Sequence, residues 1–255
     1  MGGFLASVGF PYNGLREFAR LCTDTRQEGE IITTSAATYY RRAVVVPDTD
    51  DYEIELWFEE AHEGEQSALN VHLVGATEGK VGLQAALRQP EGQHYYGAYR
   101  CDGAQWIKVG GEVSRLPFVF DCPNFDCGEN YTLPHMARVS FCGLGAHLTC
   151  YEDEADFLAR GKGPPPAFMF ASDFVRNGEP TLQPMSPILH LTGWVDETRI
   201  MTNPVTDCEF VWATVDVGDI GTFDLVATPD GLHGFLREGG VVSGTVWLSG
   251  RLMEW

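Results

Sequence analysis

The chain has 255 residues, enough to bury a sizeable core in one large domain or two modest ones. Its 36 Asp and Glu against 17 Lys and Arg leave a formal net charge of -19, a balance that repels nucleic-acid phosphates and anionic membranes and favours a basic partner. No apolar run reaches the length of a membrane span, residues 1–10 do not match a secretory leader, and Ala6 stands where a myristoylation signal needs Ser or Thr; the expectation is a cytoplasmic protein without membrane contact.

Phe4, Leu5, Val8 and Phe10 form an apolar cluster assigned to the core. A helix is predicted over residues 14–26, capped by Asn13, because Leu15, Phe18, Ala19 and Cys22 recur at helical spacing. From residue 31 to 100 the period changes to two. Strands are predicted over 39–46, 52–58, 68–74 and 81–87, with Ile54, Leu56 and Phe58 facing inward and Glu53, Glu55 and Trp57 outward. Residues 95–101, 105–109 and 118–121 offer further short strands. The acids Asp48, Asp50, Asp51, Glu53, Glu55, Glu59, Glu60, Glu63 and Glu65 occupy a stretch without Lys or Arg. An EF-hand loop starting at Asp48 would need Gly where Glu53 stands, so the stretch reads as a solvated edge and loop.

Residues 139–148 read as a buried strand, and 152–160 as a short acidic helix with Phe157 and Leu158 on the core side. The run Gly161-Lys162-Gly163-Pro164-Pro165-Pro166 is the strongest boundary signal and divides an α+β domain over 1–162 from the remainder of the chain. Residues 163–187 read as a connector and tether, with Phe168, Met169, Phe170 and Phe174 packing down. The block 188–255 reads as a long strand bent at Gly193, a turn at 203–207, strands over 210–217 and 223–227, a turn at 228–231, a helical turn over 232–237 and a last strand over 241–253. That is the order of a small OB-like or SH3-like β-barrel. The fold class expected is therefore β-rich α+β, with an N-terminal mixed sheet and short helix and a C-terminal barrel. No internal repeat is evident at this level.

A single-strand nucleic-acid binder would stack bases on Trp194, Trp212 and Trp247 and hold phosphates with Arg199 and Arg251, and these five are the candidate ligand-binding residues. From Pro164 onward there is no Lys and only four Arg, so nucleic acid is the disfavoured reading and barrel core the favoured one for the tryptophans. Cys122, Cys127, His135 and Cys142 are the candidate metal set. The four residues between the first two cysteines stand at the edge of the usual zinc spacing, and the second half lacks a matching pair. A thiol hydrolase would pair Cys142 or Cys150 with His135 or His147, although His147 and Cys150 fall on opposite faces of a regular strand. The seven scattered cysteines read as reduced thiols. Gly143-Leu144-Gly145 lacks the helix and Lys of a phosphate cradle.

Phe4-Leu5-x-x-Val8-Gly9-Phe10 at one end, with Asn203-Pro204-x-Thr206 and Gly240-x-x-x-Gly244-x-x-Trp247-Leu248-x-Gly250 at the other, is similar to a family of uncharacterised bacterial proteins carrying a domain of unknown function. The resemblance covers about a third of the chain, has Asp207 where the family pattern has Gly, and implies a cytosolic bacterial protein without assigning a site. The function expected is non-catalytic: an acidic binding or scaffold protein for a protein partner, with no cofactor and with a homo-oligomer allowed. The alternatives are a hydrolase or zinc protein using residues 122–150, and a single-strand nucleic-acid binder.

Overall fold

The computed structural model describes residues 2–11, 14–49, 52–62, 67–88, 97–103, 106–109, 112–160, 168–176, 179–218 and 221–254. Helices α1 (Gly2–Ala6) and α2 (Leu15–Glu28) precede strands β1 (Glu30–Thr33), β2 (Ala37–Val45), β3 (Glu53–Ala61), β4 (Ser67–Val74), β5 (Glu78–Arg88), β6 (Gly97–Cys101), β7 (Trp106–Val109), β8 (Glu112–Arg115), β9 (Phe118–Asp121) and β10 (His135–Tyr151). Helix α3 (Glu154–Arg160) follows, then β11 (Phe168–Ala171), β12 (Val175–Arg176), β13 (Glu179–Pro180), β14 (Ile188–Thr202), β15 (Glu209–Asp216), β16 (Thr222–Ala227), β17 (Leu232–His233) and β18 (Val241–Leu252). The fold is β-rich with few helices. The expected cap Asn13, the proline run 161–166, and Asp50, Asp51, Glu63, Glu65 and Gln105 lie outside the described residues.

Strands β1 to β4 form an antiparallel sheet in chain order, and ten strands form a larger mixed sheet. In the large sheet the antiparallel pair β10 and β18 is central, running from Val139 opposite Leu252 to Tyr151 opposite Val241. Two paths of pairing pass through it. One runs β14–β15–β16–β10–β18 and returns to β14, which pairs with β18 before its bulge and mainly with β15 after it. The other runs β5–β6–β9–β18–β10 and returns to β5.

The two paths have the same order, which amounts to an internal repeat not evident in the sequence pattern. In each, three consecutive antiparallel strands end in one that lies parallel to a shared strand: Asp224 of β16 pairs with Cys142 of β10, and Asp121 of β9 pairs with Ser249 of β18. Cys142 and Ser249 pair with each other. The equivalent steps are Phe120-Asp121 and Phe223-Asp224, and the shared strands carry Val139-x-Phe141-x-Gly143 and Val246-x-Leu248-x-Gly250. A short 3-10 helix follows the third strand in both halves, Phe125–Gly128 and Pro229–Gly231. The second stands just before the helical turn expected over 232–237. Thr228 caps it and the two-residue strand β17 follows.

Because β10 and β18 are buried on both faces, each serves two cores. Val139, Phe141, Val246 and Leu248 fill the first core with Phe120 and Phe223, and Phe141 stands edge-on to both of those rings at 5.3 and 5.4 Å. Cys142, Leu144 and Trp247 point the other way, into a second core closed by Leu5, Val8 and Phe10 and by Ile54, Leu56, Val71 and Leu73. A bulge between Gly145 and His147 changes the parity of β10, so that Leu148 and Cys150 return to the first core.

The start of the chain is clamped onto this body. Asn203 donates to the Val8 carbonyl at 2.8 Å and Thr206 to that of Gly9 at 2.5 Å, so the two separated motifs of the family resemblance touch. Gly9 has φ +77°, and a Cβ there would sit 2.7 Å from that of Asn203. Helix α2 starts after Gly14 and lays Phe18, Leu21 and Cys22 on the second core. Leu158 of α3, expected on the core side, is exposed, because this seven-residue helix buries only the narrow stripe that Phe157 occupies.

The strands on the two sides of the proline run belong to one sheet, and β11, from the expected connector, pairs with β14. A fragment comprising residues 1–162 therefore leaves β10 without its principal partner. It is expected to show a collapsed amide spectrum and no cooperative melt alone, and to fold when co-expressed with 163–255. Cooperative unfolding of the isolated fragment would contradict the shared-strand arrangement.

Candidate functional site

The four-stranded sheet buries both faces, which overturns the assignment of Glu55 and Trp57 to solvent. Ile54, Leu56 and Phe58 meet the helices and the second core, whereas Glu55, Trp57 and Glu59 face the strands of the large sheet. Glu55 is fully buried, 2.6 Å from Arg41 and 2.9 Å from Arg251, and accepts from Trp57 Nε1 at 2.7 Å. Removing both arginines would strand a buried charge, and breaking such a pair costs about 3–5 kcal/mol.

His72, paired across the strands with Glu55, is also fully buried, with its ring nitrogens 2.9 Å from Ser249 Oγ and 3.2 Å from Ser140 Oγ. A histidine between two serines has the elements of a nucleophile and base. Burial, with the charge of Arg251 adding to it, pushes the His72 pKa down to about 3, far too low for a base at neutral pH. Its role is to satisfy two buried hydroxyls.

The expected ligand-binding set is dispersed. Trp212 is fully buried and donates to Asp224 at 2.7 Å; Trp247 is 8% exposed and donates to Asp121 at 3.0 Å. Trp194 is half-buried between Asp216 and Val241. Arg199 is exposed, bonded to Glu197 and 5.8 Å above the Trp212 ring, while Arg251 belongs to the Glu55 pair. Both indoles are held inside by carboxylates that sequence reasoning did not single out; the paired Phe-Asp steps were the signal available.

The expected metal set is not gathered either. Cys122 lies in the first core and Cys142 in the second, because strand alternation sends Cys142 to the opposite face from Phe141. His135 stacks on Tyr131 at 4.0 Å. Burial raises the thiols of Cys122 and Cys142 well above the ordinary value, that of Cys127 to about 12 and that of Cys150 to about 11. Thiolates are disfavoured at all four, for ligation and for attack alike. Among the described residues no three His, Cys, Asp or Glu side chains converge as metal ligands. His147 is exposed while Cys150 is buried, so that pair does not meet as nucleophile and base.

Several concave regions open among the described residues. One, of about 460 Å³, is an open groove with Phe118, Phe141 and Phe223 among its lining residues and with Lys80, Asp102, Arg115 and His135 of mixed charge. Another, of about 180 Å³, lies in the second core between α1, β4 and the shared strands, lined by Phe4, Leu5, Leu69, Asn70, Val71, Asp121, Leu144, Ile188 and Trp247. Asp121 there is 6% exposed, and its Oδ1 has no hydrogen-bond partner among the described residues. Burial pushes its pKa up to about 7, against the lowering effect of the Trp247 indole. Glu59 is raised to about 7 as well, by burial and then by the charge of Asp126, which is itself bonded to Tyr39 and Arg88.

On the outside, the segment after β17 runs beside the end of β10, where Arg237 binds the carbonyl and the carboxylate of Glu152, each at 3.1 Å. Phe235 in this segment is 91% exposed. Exposed on the same two segments are Glu152, Asp153, Glu154 and Glu238, with Arg237 and with Leu158 of α3 at 64%. No helix among the described residues is long and apolar enough to cross a membrane. No protein-family model matches the chain, and neither the curated proteins nor the solved structures include a significant match.

The buried titrating groups act in opposite directions. Unfolded His72 titrates near 6.5 and the native ring stays neutral, so its contribution is complete above about 6.5 and is lost as pH falls towards about 3. Asp121 and Glu59, with native values of about 7, stabilise below the unfolded carboxylate range and lose that contribution as pH rises to about 7. Comparing wild type with His72→Gln isolates the first effect. In urea titrations the stability advantage of wild type should be about 2 kcal/mol smaller at about pH 5 than at about pH 7.5. An unchanged difference would mean that the native imidazole takes up the proton.

Proposed function

We propose that this chain is a non-catalytic binding protein that docks a basic protein partner on the face formed by α3 and residues 234–238. The observation that carries the reading is Phe235, 91% exposed on a segment that Arg237 ties to Glu152, with Asp153, Glu154 and Glu238 exposed on the same two segments. An exposed aromatic anchor on an acid-rich surface suits a partner that offers an apolar pocket rimmed by Lys or Arg. The chain's own cations compete little for such a partner. Ten arginines among the described residues (Arg20, Arg26, Arg41, Arg42, Arg88, Arg138, Arg160, Arg199, Arg237 and Arg251) already face carboxylates of the same chain.

Each of the two pairing paths fits a closed OB-like barrel, and we read the body of the protein as two such barrels sharing β10 and β18. That likeness does not carry nucleic-acid binding with it. Trp212 and Trp247 are enclosed and bonded to Asp224 and Asp121, and the net charge of -19 opposes phosphate.

Affinity capture on the immobilised chain, followed by calorimetry with the captured protein, tests the docking face. Phe235→Ala and Glu154→Lys should each leave the melting temperature unchanged, and Phe235→Ala should weaken binding by about thirtyfold, the effect of losing an interface anchor. Unchanged affinity in both variants would remove this face from consideration. Turnover of ester or phosphate substrates by the wild type, or salt-sensitive binding of an oligothymidylate, would replace the reading altogether.

A further inference from the structure

The internal repeat supplies a built-in comparison between two buried aspartates. Asp224 is saturated with donors. Its Oδ1 accepts from Trp212 Nε1 at 2.7 Å and from the Ala76 amide at 3.2 Å, and its Oδ2 accepts from the Thr77 amide and hydroxyl at 2.9 and 2.6 Å. The chain segment that brings these donors comes so close that a Cβ on Gly75 would stand 2.4 Å from Asp224 Oδ1, which only glycine avoids. The loop between β4 and β5 thus acts as an intramolecular ligand for this carboxylate.

Asp121 occupies the equivalent place after the equivalent phenylalanine, yet its side-chain donor is the Trp247 indole on Oδ2, at 3.0 Å, helped by the neighbouring Cys122 amide, and its Oδ1 has no hydrogen-bond partner among the described residues. Beside Asp121 lies the cavity of about 180 Å³. An under-bonded buried carboxylate carries a penalty that further donors would remove. We propose that this cavity binds a small primary amine with an apolar body, its ammonium group on Asp121.

The chemistry of the walls selects that class. An ammonium group brings three donors and a charge opposite to that of the carboxylate, which the single indole N–H does not supply. Phe4, Leu69, Val71, Leu144, Ile188 and Trp247 offer an apolar lining for the rest of the molecule, with the Phe4 and Trp247 rings packed against each other 4.9 Å apart in its wall. Benzene fits an engineered apolar cavity of about 150 Å³, so about 180 Å³ admits one ring and a short amino side chain. Rotation about the broad terminal torsion of the aspartate can present either oxygen. Burial already raises the Asp121 carboxyl to about 7, and an arriving ammonium favours its ionised form. The cavity lies in the second core, apart from the face around Phe235, so either reading stands without the other.

Phenethylamine, isoamylamine and the uncharged isostere propylbenzene are the probes, followed by calorimetry and by Trp fluorescence of the full chain. Both amines should bind saturably, and propylbenzene should bind at least about tenfold more weakly than phenethylamine. Asp121→Asn, which preserves shape and removes charge, should lower amine affinity by at least about tenfold and leave propylbenzene unchanged. Ile188→Trp, at a half-buried wall position, fills the cavity with the carboxylate intact and should abolish binding of all three, which keeps the test decisive if the aspartate variant does not fold. No saturable amine binding up to about 5 mM, equal affinity for the amine and its isostere, or full binding by Ile188→Trp would overturn the proposal.

Discussion

The antiparallel pairing of β10 with β18 is the constraint on which the rest of the molecule depends. Both pairing paths need both strands, so the first core and the second are built from opposite faces of the same two ribbons. A strand in that position cannot alternate apolar with polar residues. Val139-Ser140-Phe141-Cys142-Gly143-Leu144 and Val246-Trp247-Leu248-Ser249-Gly250 read instead as nearly continuous small and apolar runs. Their few polar members need fixed partners, and Ser140 and Ser249 share one, His72. The four-stranded sheet is consequently docked by specific bonds on one face, while its other face is closed by apolar contact with α1, α2 and residues of the large sheet such as Leu144 and Trp247.

Local rules made most strands legible. The turn at 203–207 and the strands that end at Asp121 and Ala227 follow from residue type and period alone, whereas the bulge of β14 falls between Val195 and Glu197 and not at Gly193. Assignments that required knowing what covers a strand were not legible. Glu55 looks like a solvent residue because its neighbours in sequence are acids, and the cations that allow its burial come from β2 and from the far end of β18. Cys122 and Cys142 look like companions because they are near in sequence, yet they belong to different cores. The proline run signals a stiff local segment, and that signal carries no information about which sheet the flanking strands join. The repeat escaped notice because only a Phe-Asp step and a Val-x-Φ-x-Gly motif survive, separated by connections of unequal length.

The buried carboxylates are satisfied in two ways. Glu55 holds the half-buried Arg41 and Arg251, and Asp126 holds Arg88, whose side chain stays largely exposed. Asp224 and Asp121 instead accept from neutral donors, the Trp212 and Trp247 indoles among them. Substituting apolar residues for the Glu55 cluster would free cations without altering the net charge by more than the residues removed, and the energetic cost of such a replacement is often small.

Where the two halves depart from one another, the departure has a physical content. In the second half the buried aspartate is committed to Trp212 and to a loop that glycine allows to approach, which fastens the four-stranded sheet to the strands of the large sheet. In the first half the same step in the chain meets an indole, the neighbouring Cys122 amide and a mostly apolar cavity. A duplicated polar group needs to serve structure once, and its second copy can be left incompletely bonded at a cost the core can bear. The under-bonded copy is the one that a ligand can complete, because binding there removes a penalty that folding has already incurred.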